Sequence, residues 1–444
     1  MKPYPKYRDS GVEWIGDVPE GWEVKKIKHS TYVKGRVGWH GLNSSDFIKE
    51  GPILVTGTDF SNGKIDWSTC YHVSVEHYDK DPFIQLKEND LLITKDGSIG
   101  KVAIVQGLEG QATLNSGVFV TRPLKNQYLT TYLYWILNSS VFSYFIDYNK
   151  TGSTVLHLYQ DTFENFSFPI PPIQEQKTVC YYLNRKTTQI DNLISKKQKL
   201  IALLKEERAA IINQAVTKGL NPDAPMKDSG IEWLGEVPEH WEVIRMRYVF
   251  KLLSGNGFPN HCQGKIEGDY PFYKVSDINL NGINVSLANN YVTRADVVKN
   301  GWTIIPKKSI LLAKIGEALK KNHRKINVSE CLIDNNMLVL IKKNNSYNIS
   351  YLYYLMLLID MVWFINPGAV PSIDLNKLRD FFVAIPKKAE QKQIAAHLDR
   401  KTSKIDQTTS KIEKKIELLK EFHTALISEV VTGKIDVRDE GLNG

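Results

Sequence analysis

The sequence predicts a mixed α/β chain built as a pseudo-two-fold tandem duplication, with two globular bodies and two long charged helices. Three observations lead there. DSGVEWIGDVPEGWEV, from Asp9 to Val24, returns as DSGIEWLGEVPEHWEV from Asp228 to Val243, an offset of 219. IPPIQEQKTVCYYLNRKTTQID from Ile170 returns as IPKKAEQKQIAAHLDRKTSKID from Ile385, an offset of 215. Within each copy, short β-rich runs broken by Gly, Asn and Asp give way to an uninterrupted charged helical pattern. The four residues lost between the two anchors fall where loops tolerate a change of length.

In chain order, residues 1–21 hold the first copy of the shared introduction. The first body, residues 22–168, shows strand character in GPILVTGTDF, DLLITKDG, KVAIV and GVFVTRP, then one helical pattern in YLTTYLYWILNSSVFSYFI. Residues 169–221 carry the first long helix, expected from about Gln174 to Lys218 and roughly 65 Å long at 1.5 Å per residue. Residues 222–240 form a Pro-rich linker with most of the second introduction, and residues 241–383 the second body, whose helical pattern is YNISYLYYLMLLIDMVWFI. Residues 384–444 hold the second long helix, from about Glu390 to Thr432, and a tail.

Both helices carry apolar residues at spacing seven. In the first these are Leu183, Ile190, Leu204 and Ile211, supported by Ile194, Ile201 and Ala215. In the second they are Leu398, Ile405, Ile412, Leu419 and Leu426, with Ile416 and Val430. A charged helix of this length has nothing of its own to cover such a stripe, so the two copies are expected to pack on each other. Packing of each helix on its own body is the competing account, and periodicity leaves parallel and antiparallel order open.

Composition narrows the function classes. The chain of 444 residues has 42% hydrophobic and 24% charged residues, as a folded protein does, and its +8 net charge is compatible with nucleic acid without requiring it. Cys70, Cys180, Cys262 and Cys331 form no C-x-x-C pair, and read as reduced thiols in a cytoplasmic protein. The N-terminus lacks an export signal, and the most apolar run, Tyr351 to Ile365, contains an Asp and reads as a buried helix rather than a membrane span. Walker A, G-x-G-x-x-G, H-E-x-x-H and G-x-S-x-G patterns are all missing. DGSIGK has Lys95 where a phosphate loop needs Gly and Val102 where it needs Ser or Thr. The histidines are scattered: His72 and His77 stand five apart, and His261 beside Cys262 is not by itself a ligand pattern. The chain reads as a recognition part rather than a catalyst.

Duplicated bodies with one job would agree in their loops, and these diverge. After the introduction the first half reads YVKGRVGWHG and the second FKLLSGNGFPNHCQG, both expected to be Gly-rich loops. Sequence-specific DNA readers combine a positioning scaffold with idiosyncratic side chains for base edges. Lys34, Arg36 and Trp39 are the candidates in the first body, and Asn256, Phe258, Asn260 and His261 in the second. Local packing or solvated loop polarity is the competing reading for each. Lys95 and Lys314 stand at equivalent positions after a strand and two residues before a glycine, where an ammonium and turn N–H groups can meet a phosphate. Lys101 and Lys320 align as well, with Ser98 in the same turn; plain solvent exposure competes.

Taken together, SGVEWIGDVPEGWEV with SGIEWLGEVPEHWEV, LLITKDGSIGK, TGST with PGAV, and the two helix starts resemble the specificity subunit of type I restriction-modification systems. The likeness covers nearly the whole chain, twice and in order. It implies two target recognition domains, 22–168 and 241–383, joined by an antiparallel coiled coil. Each domain would read one half of a split double-stranded DNA target while the helix pair fixes the spacer. The implied partners are two methylation subunits and, in the full complex, restriction subunits. S-adenosylmethionine and ATP with Mg2+ would belong to those partners, and this chain alone would be non-catalytic and hold no cofactor. LLAKIGEALKK departs from LLITKDGSIGK by losing the Asp and second Gly, so the turn expected to meet a phosphate at Lys95 is not repeated whole at Lys314. PGAV in place of TGST points to packing rather than identical contacts. The alternative is a coiled-coil adaptor without sequence-specific recognition.

Overall fold

A computed structural model describes residues 2–36, 46–149, 157–279, 282–366, 368 and 370–440. It divides into two compact units, Met1–Gln198 with Glu413–Gly444, and Lys199–Ile412. The division falls inside both long helices, Ile173–Thr217 and Lys388–Val431.

In the first unit the described residues form a six-stranded sheet. Its order is Thr31–Gly35, Val118–Pro123, Leu91–Thr94, Val102–Ile104, Lys64–Ile65, Phe60–Ser61. The pairing of Ile104 with Lys64 is parallel and the others are antiparallel. Leu91–Thr94 is buried at every position, as a central strand covered on both faces must be. A three-stranded sheet lies beside it in the order Ala112–Leu114, Ile48–Val55, Tyr71–His72. The second unit repeats this plan among its described residues. Phe250–Ser254, Met337–Lys342, Ile310–Ala313, Arg324–Asn327 and Asn284–Val285 form its main sheet. Leu332–Ile333, Tyr270–Tyr273 and Tyr291–Val292 form the smaller one.

Two local expectations are corrected. YVKGR and FKLLS begin as strands rather than loops, because each pairs along its length with an apolar neighbour, Thr31–Gly35 with Val118–Pro123 and Phe250–Ser254 with Met337–Lys342. Each apolar helical run is also broken. The first becomes Thr130–Leu137 and Ser140–Tyr148, because Asn138 Nδ2 donates to the Tyr134 carbonyl at 2.8 Å and Ser139 Oγ to that of Ile136 at 2.6 Å. The second stops at Leu358, and Asp360 then accepts from Val362 N at 3.0 Å to cap the short turn Met361–Phe364. No helix among the described residues is long and apolar enough to cross a membrane.

The long helices begin and end within two residues of the expected positions. Pro171 and Pro172 precede the first and Pro386 the second, the places where a missing N–H is harmless. In the first unit Leu183 and Ile190 share a buried cluster with Leu426, Ile427 and Val430. There Arg185 pairs with Glu440 at 2.6 Å and Asp191 with His423 at 3.8 Å, so one strand of the pair rises as the other falls. In the second unit Arg208 meets Asp406 at 2.9 Å, while Gly219, just past the first helix, lies against Glu390. The helices therefore pair antiparallel. Asp191 and Asp406, like Arg208 and His423, are equivalent positions of the duplication. The seam departs from the spacing: Ile194, Ile201, Leu204, Ile211 and Leu419 are only half-buried, and Ile212 and Val216 take covered places in the first helix.

A matched set of hydrogen bonds fastens each helix to its body. Gln176 is fully buried; its Oε1 accepts from Leu129 N at 2.8 Å and its Nε2 donates to the Pro171 carbonyl at 2.8 Å. Gln391 does the same with Asn348 N at 2.7 Å and the Pro386 carbonyl at 2.8 Å. Tyr132 Oη donates to the Pro169 carbonyl at 3.0 Å and Tyr351 Oη to that of Ala384 at 3.2 Å. Burial holds both phenols well above their ordinary pKa, so they remain donors at any accessible pH. Each shared introduction packs where a long helix ends. Tyr7 Oη donates to the Gly433 carbonyl at 3.0 Å in the first unit, and in the second Lys218 Nζ donates to the Glu236 carbonyl while a Cβ at Gly219 would stand 3.4 Å from Trp241. Gly433 has φ of +73° and a Cβ there would stand 2.4 Å from Pro19, so glycine is required both by the left-handed turn and by the contact.

Replacing Gln391 by Leu keeps the volume but strands the Asn348 N–H and the Pro386 carbonyl. The second unit is expected to lose about 1–3 kcal/mol of stability, read as a lower denaturant midpoint with faster hydrogen exchange confined to that unit. Gln176→Leu is expected to do the same to the first unit.

Candidate nucleic-acid interface

The turn after Leu91–Thr94 is built around Thr94. Its hydroxyl donates to the Ser98 carbonyl at 2.5 Å and accepts from Lys101 N at 3.0 Å, while Gly97 and Gly100 take positive φ. Ser98 and Lys101 are exposed on this turn. Lys95 is half-buried with its Nζ 4.9 Å from the Phe119 ring centre; burial lowers its pKa, partly offset by Asp96. Asp96 is itself hydrogen bonded to His157. In the second unit the same stretch folds differently. Gly316 again has positive φ, but Glu317–Lys321 forms a short 3-10 turn in which exposed Lys320 pairs with Glu317 at 2.9 Å. Lys314 is half-buried, its backbone tied to Asn336 and Ile373. The two lysine sets thus share a strand end but not a charge state of their surroundings.

Lys34 is exposed on Thr31–Gly35, the edge strand of its sheet. Arg36 is buried: Nε donates to the Leu114 carbonyl at 2.9 Å and Nη2 to Thr113 Oγ1 at 3.3 Å. Its surroundings lower its pKa through burial, with Asp81 opposing. The position equivalent to Arg36 is Gly255, where a Cβ would lie 2.0 Å from the Asp334 carbonyl oxygen. There Asn256 N donates to the Ile333 carbonyl at 2.9 Å, and Ile333 is the equivalent of Leu114. One carbonyl is therefore satisfied by a side chain in the first unit and by the backbone in the second. Trp39 and the TGST segment lie outside the described residues.

Beyond Gly255 the second unit's loop presents Asn260 and His261 to solvent and keeps Asn256 half-buried. Phe258 packs edge-on to Phe272 with ring centres 5.0 Å apart, and Lys274 Nζ sits 3.5 Å over its ring. His261 Nε2 lies 3.3 Å from Asp296 Oδ1. Asp296 also accepts from Thr293, first the hydroxyl and then the N–H, and these bonds, with His261, hold its pKa down to about 2. Sequence reasoning missed Asp296 because it is 35 positions from His261, and only the fold brings them together.

A second surface is duplicated. Trp14 and Trp233 are equivalent, and each is preceded by an exposed glutamate, Glu13 or Glu232. Trp14 lies 6.0 Å from the ring of Tyr148, which is 72% exposed; Trp233 lies 6.0 Å from that of Trp363, which is 50% exposed. Each unit thus shows solvent an aromatic pair with a carboxylate beside it. The sequence signal was present in the repeated E-W-[IL]-G.

The family of the type I restriction modification DNA specificity domain matches residues 19–203 and again 238–418. The chain is 24% identical over 444 residues to the type I restriction enzyme MjaIX specificity subunit of Methanocaldococcus jannaschii, covering 96% of each. A chain solved in work on complex assembly and conformational transition of the type I R-M system shares its fold with a TM-score of 0.73 at 14% identity, over 94% of this chain and 99% of that one. The HsdS subunit from Thermoanaerobacter tengcongensis is similar with a TM-score of 0.51 at 13% identity, over 94% and 98%. A framework repeated bond for bond under loops that differ, matched in both halves, places the chain in the type I restriction-modification DNA specificity family, the non-catalytic specificity components of those systems.

Proposed function

We propose that each body reads one half of a bipartite double-stranded DNA target, that the helix pair sets the unspecified spacer, and that the duplicated framework docks two adenine methylation subunits. Restriction subunits complete the assembly, and S-adenosylmethionine and ATP with Mg2+ belong to those partners. The observation that carries this reading is the contrast at matched positions. Gln176 and Gln391 make the same bonds, whereas the Leu114 carbonyl is met by the Arg36 side chain and the equivalent Ile333 carbonyl by Asn256 N. A constant frame suits a partner present twice; unlike loops suit unlike half-sites.

Lys34, Lys95, Ser98 and Lys101 are the contacts assigned to the first body, and Asn256, Phe258, Asn260, His261, Lys314 and Lys320 to the second. Arg36 acts from inside by tying the end of Thr31–Gly35 to Thr113 and Leu114. The repeated aromatic pairs, Trp14 with Tyr148 and Trp233 with Trp363, are assigned to the methylation subunits, whose docking segment would offer an apolar side chain beside a cation for Glu13 or Glu232.

Exchanging residues 22–168 for the body of a relative is expected to change one half of the methylated motif and leave the other intact, as read by genome-wide methylation mapping. Change in both halves or in neither would overturn the division of labour. Lys101→Ala is expected to weaken binding to all duplexes alike and to lower the salt-dependence slope by about one. Lys320→Ala is expected to change both less, since Glu317 already neutralises that lysine. Tyr148→Ala and Trp363→Ala are each expected to reduce the methylation subunits bound from two to one in native mass spectrometry.

A further inference from the structure

His261, Cys262 and Asp296 form a cluster of ligand-type side chains whose donor atoms all lie within 4.8 Å of one another. The three come from two elements. His261 and Cys262 belong to the short turn Asn260–Cys262, and Asp296 to the first turn of the helix Arg294–Asn300. Thr293 holds Asp296 Oδ2 through its N–H at 3.0 Å and its hydroxyl at 2.7 Å, which fixes the carboxylate and leaves Oδ1 toward His261. His261 Nε2 is 3.3 Å from Oδ1, and Cys262 Sγ is 4.0 Å from Oδ2. Bonds of about 2.0 Å to N and O and 2.3 Å to S around a tetrahedral ion would set such atoms roughly 3.3–3.6 Å apart, so His261 and Asp296 already stand at ligand spacing and the Cys262 thiol has to move inward by up to about 1 Å.

A second observation concerns what surrounds the cluster. Cys262 is a free, buried thiol at the rim of a small cluster whose buried members are Cys262, Phe272, Val292, Val297 and Leu332. The smaller sheet of the first unit, by contrast, feeds Val55, Ala112 and Leu114 into a cluster of eleven buried residues among those described. Tyr273 and Ile333 of the same sheet enter the main core, so the outer face beside Cys262 rests on these five buried side chains with Phe258, Tyr270, Trp302 and Ile304 against them. A metal is a common supplement where a local core is small. The donor set of imidazole, thiolate and carboxylate suits a borderline divalent ion.

We propose that His261 Nε2, Cys262 Sγ and Asp296 bind a zinc-class ion, with water in the fourth position, which staples the loop from Gly255 to Gly268 onto the helix Arg294–Asn300. Binding takes up the thiolate and releases the thiol proton to solvent. The staple holds the exposed His261 ring in one orientation and, with it, Asn256 and Asn260 on a loop of fixed shape. Metal loading therefore sets how rigidly the second body presents its loop.

The test is cobalt titration of the untagged, chelator-treated, reduced full chain. One equivalent is expected to produce the thiolate-to-cobalt absorption band in the near ultraviolet, and one equivalent of zinc to remove it. Cys262→Ser is expected to abolish the band; His261→Ala, at an exposed position that does not threaten folding, to weaken cobalt binding by more than about tenfold. Zinc is expected to slow hydrogen exchange across residues 255–268 in the native chain and not in His261→Ala. No band in the native chain, or an unchanged band in either variant, would overturn the assignment.

Discussion

A helix of 44 or 45 residues, charged on most of its surface, has one apolar seam and no residues of its own to cover it. That constraint organises the molecule. The seam is closed by the other helix running antiparallel and by the body packed on the same stretch, so that Leu183 and Ile190 share a core with Leu426 and Val430, and Ile212 and Val216 share one with Leu398. Ion pairs at the edge, Asp191 with His423 and Arg208 with Asp406, are exposed enough to set register more than stability. The buried glutamines then decide where a body sits on its helix, because each joins a proline turn to a part-buried loop N–H.

Duplication lets one frame serve two purposes. Bonds that hold body to helix are repeated almost without change, while the strand ends above them are free to differ. The carbonyls of Leu114 and Ile333 illustrate the freedom: an arginine side chain reaches one, and a backbone N–H reaches the other because Gly255 lets the chains approach. Either solution satisfies the acceptor, so the residue at this position is free to differ between the two bodies.

Much of the frame was legible in the sequence because its signals are local. Proline before the first turn, spacing of seven and glycine after the last turn mark the long helices by themselves. Antiparallel order was not legible in the spacing, since a seam reads the same in both directions, and needed contacts such as Arg185 with Glu440. YVKGR looked like a loop because of its glycine, and it is a strand because Val118–Pro123 pairs with it across more than eighty residues. Gln176 looked like an ordinary helix-starting residue; its partner, Leu129 N, is 47 positions away. Arg36 looked like a surface cation for the same reason, its acceptor at Leu114 being supplied by the fold. Among the candidate contacts, local pattern found the turns and their lysines, but what neighbours each one, Phe119 under Lys95 or Glu317 beside Lys320, belongs to tertiary structure.

The first unit is assembled from Met1–Gln198 and Glu413–Gly444, whereas the second is one continuous stretch. The hydrogen bond from Tyr7 to Gly433 spans 426 positions. During synthesis at about 5–20 residues per second, the first body therefore waits on the order of ten to forty seconds for the segment that covers Leu183 and Ile190. The unit that begins first is finished last. An apolar seam left open over that interval makes the early-made half the aggregation-prone one, and makes damage to the last thirty residues of the chain a defect of its N-terminal body.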